Sequence, residues 1–181
     1  METINKLEPY KPTEEQLQII TKSFYNLPKL ILQKVEEEVP DGYAKDGVKF
    51  MHDVGAVYSI YNVKRDKYKT LKMNLQPMHN YYLQHDTSAI VDGVKYDIPA
   101  DKINVNESKI HFRVTNVLYR KVSEICFHDI IKLGAEWNSK FRTTLDDCVV
   151  DVDMYRKDIL DKYNIKDMDS KVILYEVQRL K

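Results

Sequence analysis

Only five glycines occur in 181 residues, too few to build the loop cradle that wraps a nucleotide's phosphates. Cysteine is scarcer still. Cys126 and Cys148 are not at metal-ligand spacing, and two cysteines cannot form a disulfide framework. Both sit in apolar company and are expected as reduced core residues, which places the chain in the cytoplasm of the cell that makes it. No apolar run approaches the roughly 20 residues that cross a bilayer. The opening "METINKLEPYKP" has no basic end followed by an apolar block, so no secretory leader is expected. A charge of one sign is also missing. Lys and Arg total 28 and Asp and Glu total 28, leaving no global field toward nucleic acid or an anionic membrane. Gly-x-Ser-x-Gly, His-Glu-x-x-His and EF-hand patterns are absent.

What is present is an ordinary globular composition, 43% hydrophobic, with an unusual aromatic choice: thirteen tyrosines against five phenylalanines and one tryptophan. Tyrosine has an apolar body and a polar tip, a combination that suits interfaces.

The length fits one domain. Residues 1–12, with Pro9 and Pro12, read as an extended arm, and 13–181 as a single α+β domain. "TEEQ" at 13–16 is a capping box opening a helix. The stripe Leu17, Ile20, Phe24, Leu27, Ile31 and Val35 extends it, with a kink at Pro28 and an acidic solvated end at 36–39. "VGAVYSIYNV" and "YKTLKMNLQ" read as strands joined by the polar turn 64–67. Asp92-Gly93 between apolar runs has the composition of a two-residue type I′ turn. Residues 102–114 suggest two short strands around Asn106-Glu107-Ser108. A second major helix, capped by Thr115 or Asn116, is expected to run to Gly134 and to continue by a turn or two over 135–144. Residues 146–154 fit either a strand or the start of a helix. "MYRKDILDKYNI" reads as a helix anchored by Met154, Ile159 or Leu160, and Tyr163, and "KVILYEVQRL" as a closing strand docked in the sheet. The expected fold is therefore a hairpin-rich antiparallel sheet, including the C-terminal strand. It would pack against an N-terminal helical segment and a helix near 116–133.

Four features carry chemistry. His128-Asp129, in "EICFHDIIKLG", is a dipeptide found in HD-type metal phosphohydrolases. Joined by His111 and Asp151 or Asp153 it would form a ligand set for a metal-dependent phosphoester hydrolase or nuclease. Against that, His111 reads as a strand residue, whereas the HD-type domain is all-helical. Asp129 falls where the stripe Leu118, Val122, Ile125 and Leu133 would take a leucine. It is expected as a buried carboxylate paired with a cation, or as a subunit contact, with His128 on its flank; the alternative is a ligand or a catalytic acid whose pKa burial would raise. Tyr81 and Tyr82, in "MHNYYLQHD", suggest a sheet edge or an interface; His79 and His85, six residues apart along a strand, are separated by about 20 Å and cannot share a metal. Lys64, Arg65 and Lys67 form a basic hairpin tip that would contact nucleic acid or simply be solvated.

Abundant Lys, Asn, Ile, Asp and Tyr with little Gly resembles the composition of small tailed-phage virion proteins of the head–tail connector or ring type. The resemblance spans the whole chain and is one of composition, with no motif behind it. It implies a non-enzymatic homo-oligomer in a virion, with the arm and the exposed hairpins making contacts between subunits and with other proteins. Neither cofactor, metal nor membrane partner is expected. The alternatives are the hydrolase and a nucleic-acid-binding accessory protein.

Overall fold

In the computed structural model the described residues are 7–21, 28–35, 48–50, 57–62, 67–135 and 150–180, with side chains left aside at 48–50, 57–62, 67–72, 89 and 91. The fold is α+β. Its chain order is β1 (Leu7–Tyr10), α1 (Glu14–Thr21), β2 (Lys29–Lys34), β3 (Val48–Phe50), β4 (Val57–Asn62), β5 (Lys67–Lys72), β6 (Asn80–Leu83), β7 (Thr87–Val91), β8 (Val94–Ile98), β9 (His111–Lys121), α2 (Phe127–Lys132), α3 (Val152–Tyr163) and β10 (Lys171–Arg179).

The main sheet has the order β1-β6-β9-β10-β2. It is antiparallel except where β1 runs parallel to β6 at one edge. The expected N-terminal arm is thus, over Leu7–Tyr10, a strand of the sheet. Two further sheets are β3-β4-β5 and the two-stranded β7-β8. The hairpin of β4 and β5 spans the expected polar turn at 64–67, of which 64–66 lie outside the described residues and Lys67 begins β5.

Each face of the main sheet carries a core. On one face Ile31, Phe112, Val114, Ile173 and Tyr175 pack with Ile20, Met73, Leu75, Tyr81 and Leu83. On the other, Leu30, Leu32, Val172 and Leu174 meet Val122, Ile125, Ile130, Tyr155 and Ile159 from the α2 and α3 region. This two-sided burial explains two departures from the sequence reading. The expected helix through Ile31 and Val35 is strand β2 over Lys29–Lys34. The run Leu30-Ile31-Leu32 cannot lie on one helical stripe, but a strand sends Ile31 to one core and its neighbours to the other. The helix expected near 116–133 is strand β9 up to Lys121, then a short 3-10 turn, then α2 over only Phe127–Lys132. A bulge leaves Thr115 without a register partner and shifts the inward positions from 112 and 114 to 117 and 119. That three-residue step imitates a helical spacing.

The capping box at the start of α1 is made. The Gln16 N–H donates to Thr13 Oγ1 at 3.2 Å and the Thr13 N–H to Gln16 Oε1 at 3.0 Å. The helix α3 is anchored by Tyr155 and Ile159, whereas Met154 is exposed. Its cap is Asp151, which accepts from the Met154 N–H at 2.9 Å, and Asn164 closes it in the left-handed conformation. Of the two short strands expected over 102–114, the first is replaced by turns and the second is the start of β9, from His111. Asn104 Oδ1 accepts from the Asn106 and Glu107 N–H groups, an Asx arrangement that competes with any ladder. No helix of the described residues is long and apolar enough to cross a membrane.

Candidate functional site

The ribbon of β7 and β8 stands apart from both cores. Its turn is specified directly by the sequence: Asp92 has φ 50° and Gly93 φ 79°, the two left-handed residues of a type I′ hairpin. Register pairs Thr87 with Ile98 and Val91 with Val94, so the strands match over their full length. The feet are pinned. Asp86 Oδ1 accepts from the Ala100 N–H at 2.9 Å, and Gln84 Nε2 donates to the Ile103 carbonyl at 2.8 Å. Behind them Ser108, itself buried, donates to the Leu83 carbonyl at 2.9 Å.

Beyond these feet the ribbon is bare. Ile90 is 75% exposed, Val94 52% and Tyr96 54%. Val94 and Tyr96, two residues apart on one strand, share a face, and Ile90 lies on the other beside Lys95. The Lys95–Asp97 pair, 3.8 Å apart in open solvent, adds little. A two-stranded hairpin alone is marginal in water, and apolar side chains on it are shielded only when something covers them. The arrangement can bind through apolar contact and, along its outer strands, through unpaired backbone groups.

Asp129 is 6% exposed at the start of α2. Its Oδ2 accepts from Arg120 Nη1 at 3.0 Å and from the Cys126 N–H at 3.0 Å. Arg120 comes from the end of β9, so one carboxylate caps the helix and ties it to the sheet. Nearby, Arg156 of α3 donates from Nε and Nη2 to the Ile125 carbonyl at 3.0 and 2.7 Å. His128 is exposed, with its ring edge-on to Phe127. The other members of the hypothetical ligand set are elsewhere: His111 Nε2 lies 3.0 Å from the Val105 carbonyl, Asp151 caps α3, and Asp153 pairs with Arg156. Among the described residues no group of three or more His, Cys, Asp or Glu side chains converges as a metal site.

Tyr81, expected at a sheet edge or an interface, lies within the core of the chain. It is 4% exposed, stacks on Phe112 with centroids 5.5 Å apart, and its hydroxyl accepts from the Gln76 N–H at 2.7 Å. Its strand is not an edge, since β6 lies between β1 and β9. Tyr82 is half-buried on the opposite face. Lys64 and Arg65 lie outside the described residues, and Lys67 begins β5. Also outside are Phe24, Leu27, the segments 36–47 and 136–149, and Cys148. Cys126, expected in the core, is exposed. The sequence specifies the Asp92-Gly93 turn, and the resemblance implies contacts through exposed hairpins, but neither singles out Ile90, Val94 and Tyr96 as the surface. Comparison of the chain with protein-family models, with curated proteins and with solved structures finds no match.

Proposed function

We propose that this protein is a non-enzymatic assembly component that acts through protein–protein contacts, with the β7–β8 ribbon as its principal contact. One observation carries the reading: Ile90, Val94 and Tyr96 are exposed on a ribbon whose feet are held by side-chain hydrogen bonds. Ordering a hairpin costs conformational entropy that this ribbon's own contacts barely offset, whereas burial against a partner would stabilise it at about 25 cal/mol per Å² of apolar surface. The chain's charge balance favours contact between copies, because no net repulsion keeps them apart.

The composition shared with small tailed-phage virion proteins fits this reading. In that setting the protein is a ring or connector subunit, made in the reducing cytoplasm and then built into a particle. The test is a ribbon variant, Val94→Ser with Tyr96→Ser, which removes apolar surface without touching either core. Its native mass falls to that of the monomer, and its circular dichroism stays that of the parent. A variant that associates as the parent does would contradict the assignment.

A further inference from the structure

The main sheet offers a second unsatisfied feature, at the end away from the ribbon. Arg113 projects from β9 on the face opposite Phe112 and Val114, between Asn80 of β6 and Gln178 of β10 in register. Its Nε is buried without a hydrogen-bond partner, and among the described residues no carboxylate pairs with it. Glu176, two residues along β10 from Gln178 on this face, is already engaged by Lys132 at 2.8 Å and by Thr115. A guanidinium is charged at every accessible pH, and its fork of donors matches a carboxylate. Leaving a desolvated donor of that fork empty is unfavourable, so the site is prepared for an anion. The residues around it are half-buried or open: Leu7, Tyr82 and His111 half-buried, Pro9 and Gln178 exposed.

The ribbon has the complementary charge. Asp92, at its tip, is exposed and has no partner among the described residues. Within one chain the two features are at opposite ends of β6, the ribbon leaving beyond Leu83 and Arg113 lying beside Asn80. A ribbon strand of five residues spans about 17 Å, and the four strands from β1 to β10 span about 14 Å, so one can lie across the other. We infer that the ribbon of one copy docks on this sheet face of a second copy, with Asp92 at its tip meeting Arg113. Val94 and Tyr96 then contact Leu7, Pro9 and Tyr82. Such a contact is head-to-tail, and it generates a ring or a filament according to whether the rotation closes.

The inference rests on the ribbon being an interface, and the experiment separates the two claims. Sedimentation equilibrium is run on the parent, Asp92→Asn, Arg113→Gln and the double variant, with Val94→Ser/Tyr96→Ser alongside. Asn-Gly keeps the type I′ turn, so Asp92→Asn removes charge alone. Each single change is expected to weaken association roughly tenfold, and the double variant no further than the weaker single. Arg113→Gln leaves the monomer's urea midpoint unchanged or higher, since it removes a half-buried guanidinium whose Nε is desolvated without a partner. Association lost in the ribbon variant but untouched by Arg113→Gln, or single losses that multiply in the double variant, overturns this contact and leaves the ribbon reading standing. A parent that is monomeric overturns both. Stabilisation of the parent by inorganic phosphate that disappears in Arg113→Gln, with association unaltered, assigns the arginine to a phosphate and also overturns the contact.

Discussion

Asp129 stands where a helical stripe would take a leucine, and the structure explains why an acid is there. It accepts from Arg120 and from the Cys126 N–H, so a single carboxylate starts α2 and neutralises the end of β9. Replacing it with leucine adds apolar surface beside the second core but strands the half-buried guanidinium and frees the amide. Asp129→Leu is expected to cost about 2–4 kcal/mol in urea denaturation. Adding Arg120→Met should recover part of that loss, because the cost comes from the unpaired charge more than from the missing attraction. A double variant no more stable than Asp129→Leu would show that the helix cap, not the ion pair, is the main contribution. The sequence exposed Asp129 as an anomaly because every third or fourth residue around it is apolar. It did not name Arg120, since that pairing depends on β9 ending where it does.

The type I′ turn, the α1 capping box and the C-terminal strand were legible because each is written in adjacent residues. β2 and β9 were not. Each carries apolar residues for two cores, and in β9 the bulge at Thr115 breaks the alternation that would announce a strand. Only the partner strand β10 resolves the ambiguity, and it lies some fifty residues further along the chain than β9. The turn also sets the ribbon's stability. A Cβ added at Gly93 would meet nothing within 4 Å, yet φ +79° disfavours any side chain. Gly93→Ala is therefore expected to loosen the ribbon by about 1 kcal/mol without lowering the melting temperature of the body. Faster amide exchange confined to residues 87–98 would show it. Equal acceleration in β9 and β10 would mean that the ribbon is part of the core's cooperative unit.

Composition alone suggests that the tyrosines serve an interface, but several of those with described side chains are internal. Tyr10, Tyr81 and Phe112 form an aromatic cluster, and Tyr155 and Tyr175 are buried. Burial pushes the phenols of Tyr10 and Tyr119 up to about 12 and raises those of Tyr81, Tyr155 and Tyr163 as well. A raised folded pKa means that the fold prefers the neutral phenol. That contribution is whole below pH 10.0, the ordinary tyrosine value, and is lost as pH rises toward 12. The denaturation midpoint should show no tyrosine-linked fall below pH 10 and a steep one above it, with these phenols ionising only as the chain unfolds. Full ionisation near pH 10 in a folded protein would contradict the packing described.

Among the described residues the ribbon gathers three of the seven exposed large hydrophobic side chains, with Ile90 the most exposed of all, which makes assembly the central claim. Native mass by light scattering across a concentration series tests it most directly. The account predicts a mass well above 21.4 kDa that falls toward 21.4 kDa on dilution, and a Val94→Ser/Tyr96→Ser variant that stays at 21.4 kDa throughout. A parent protein that remains at 21.4 kDa at every concentration would contradict it.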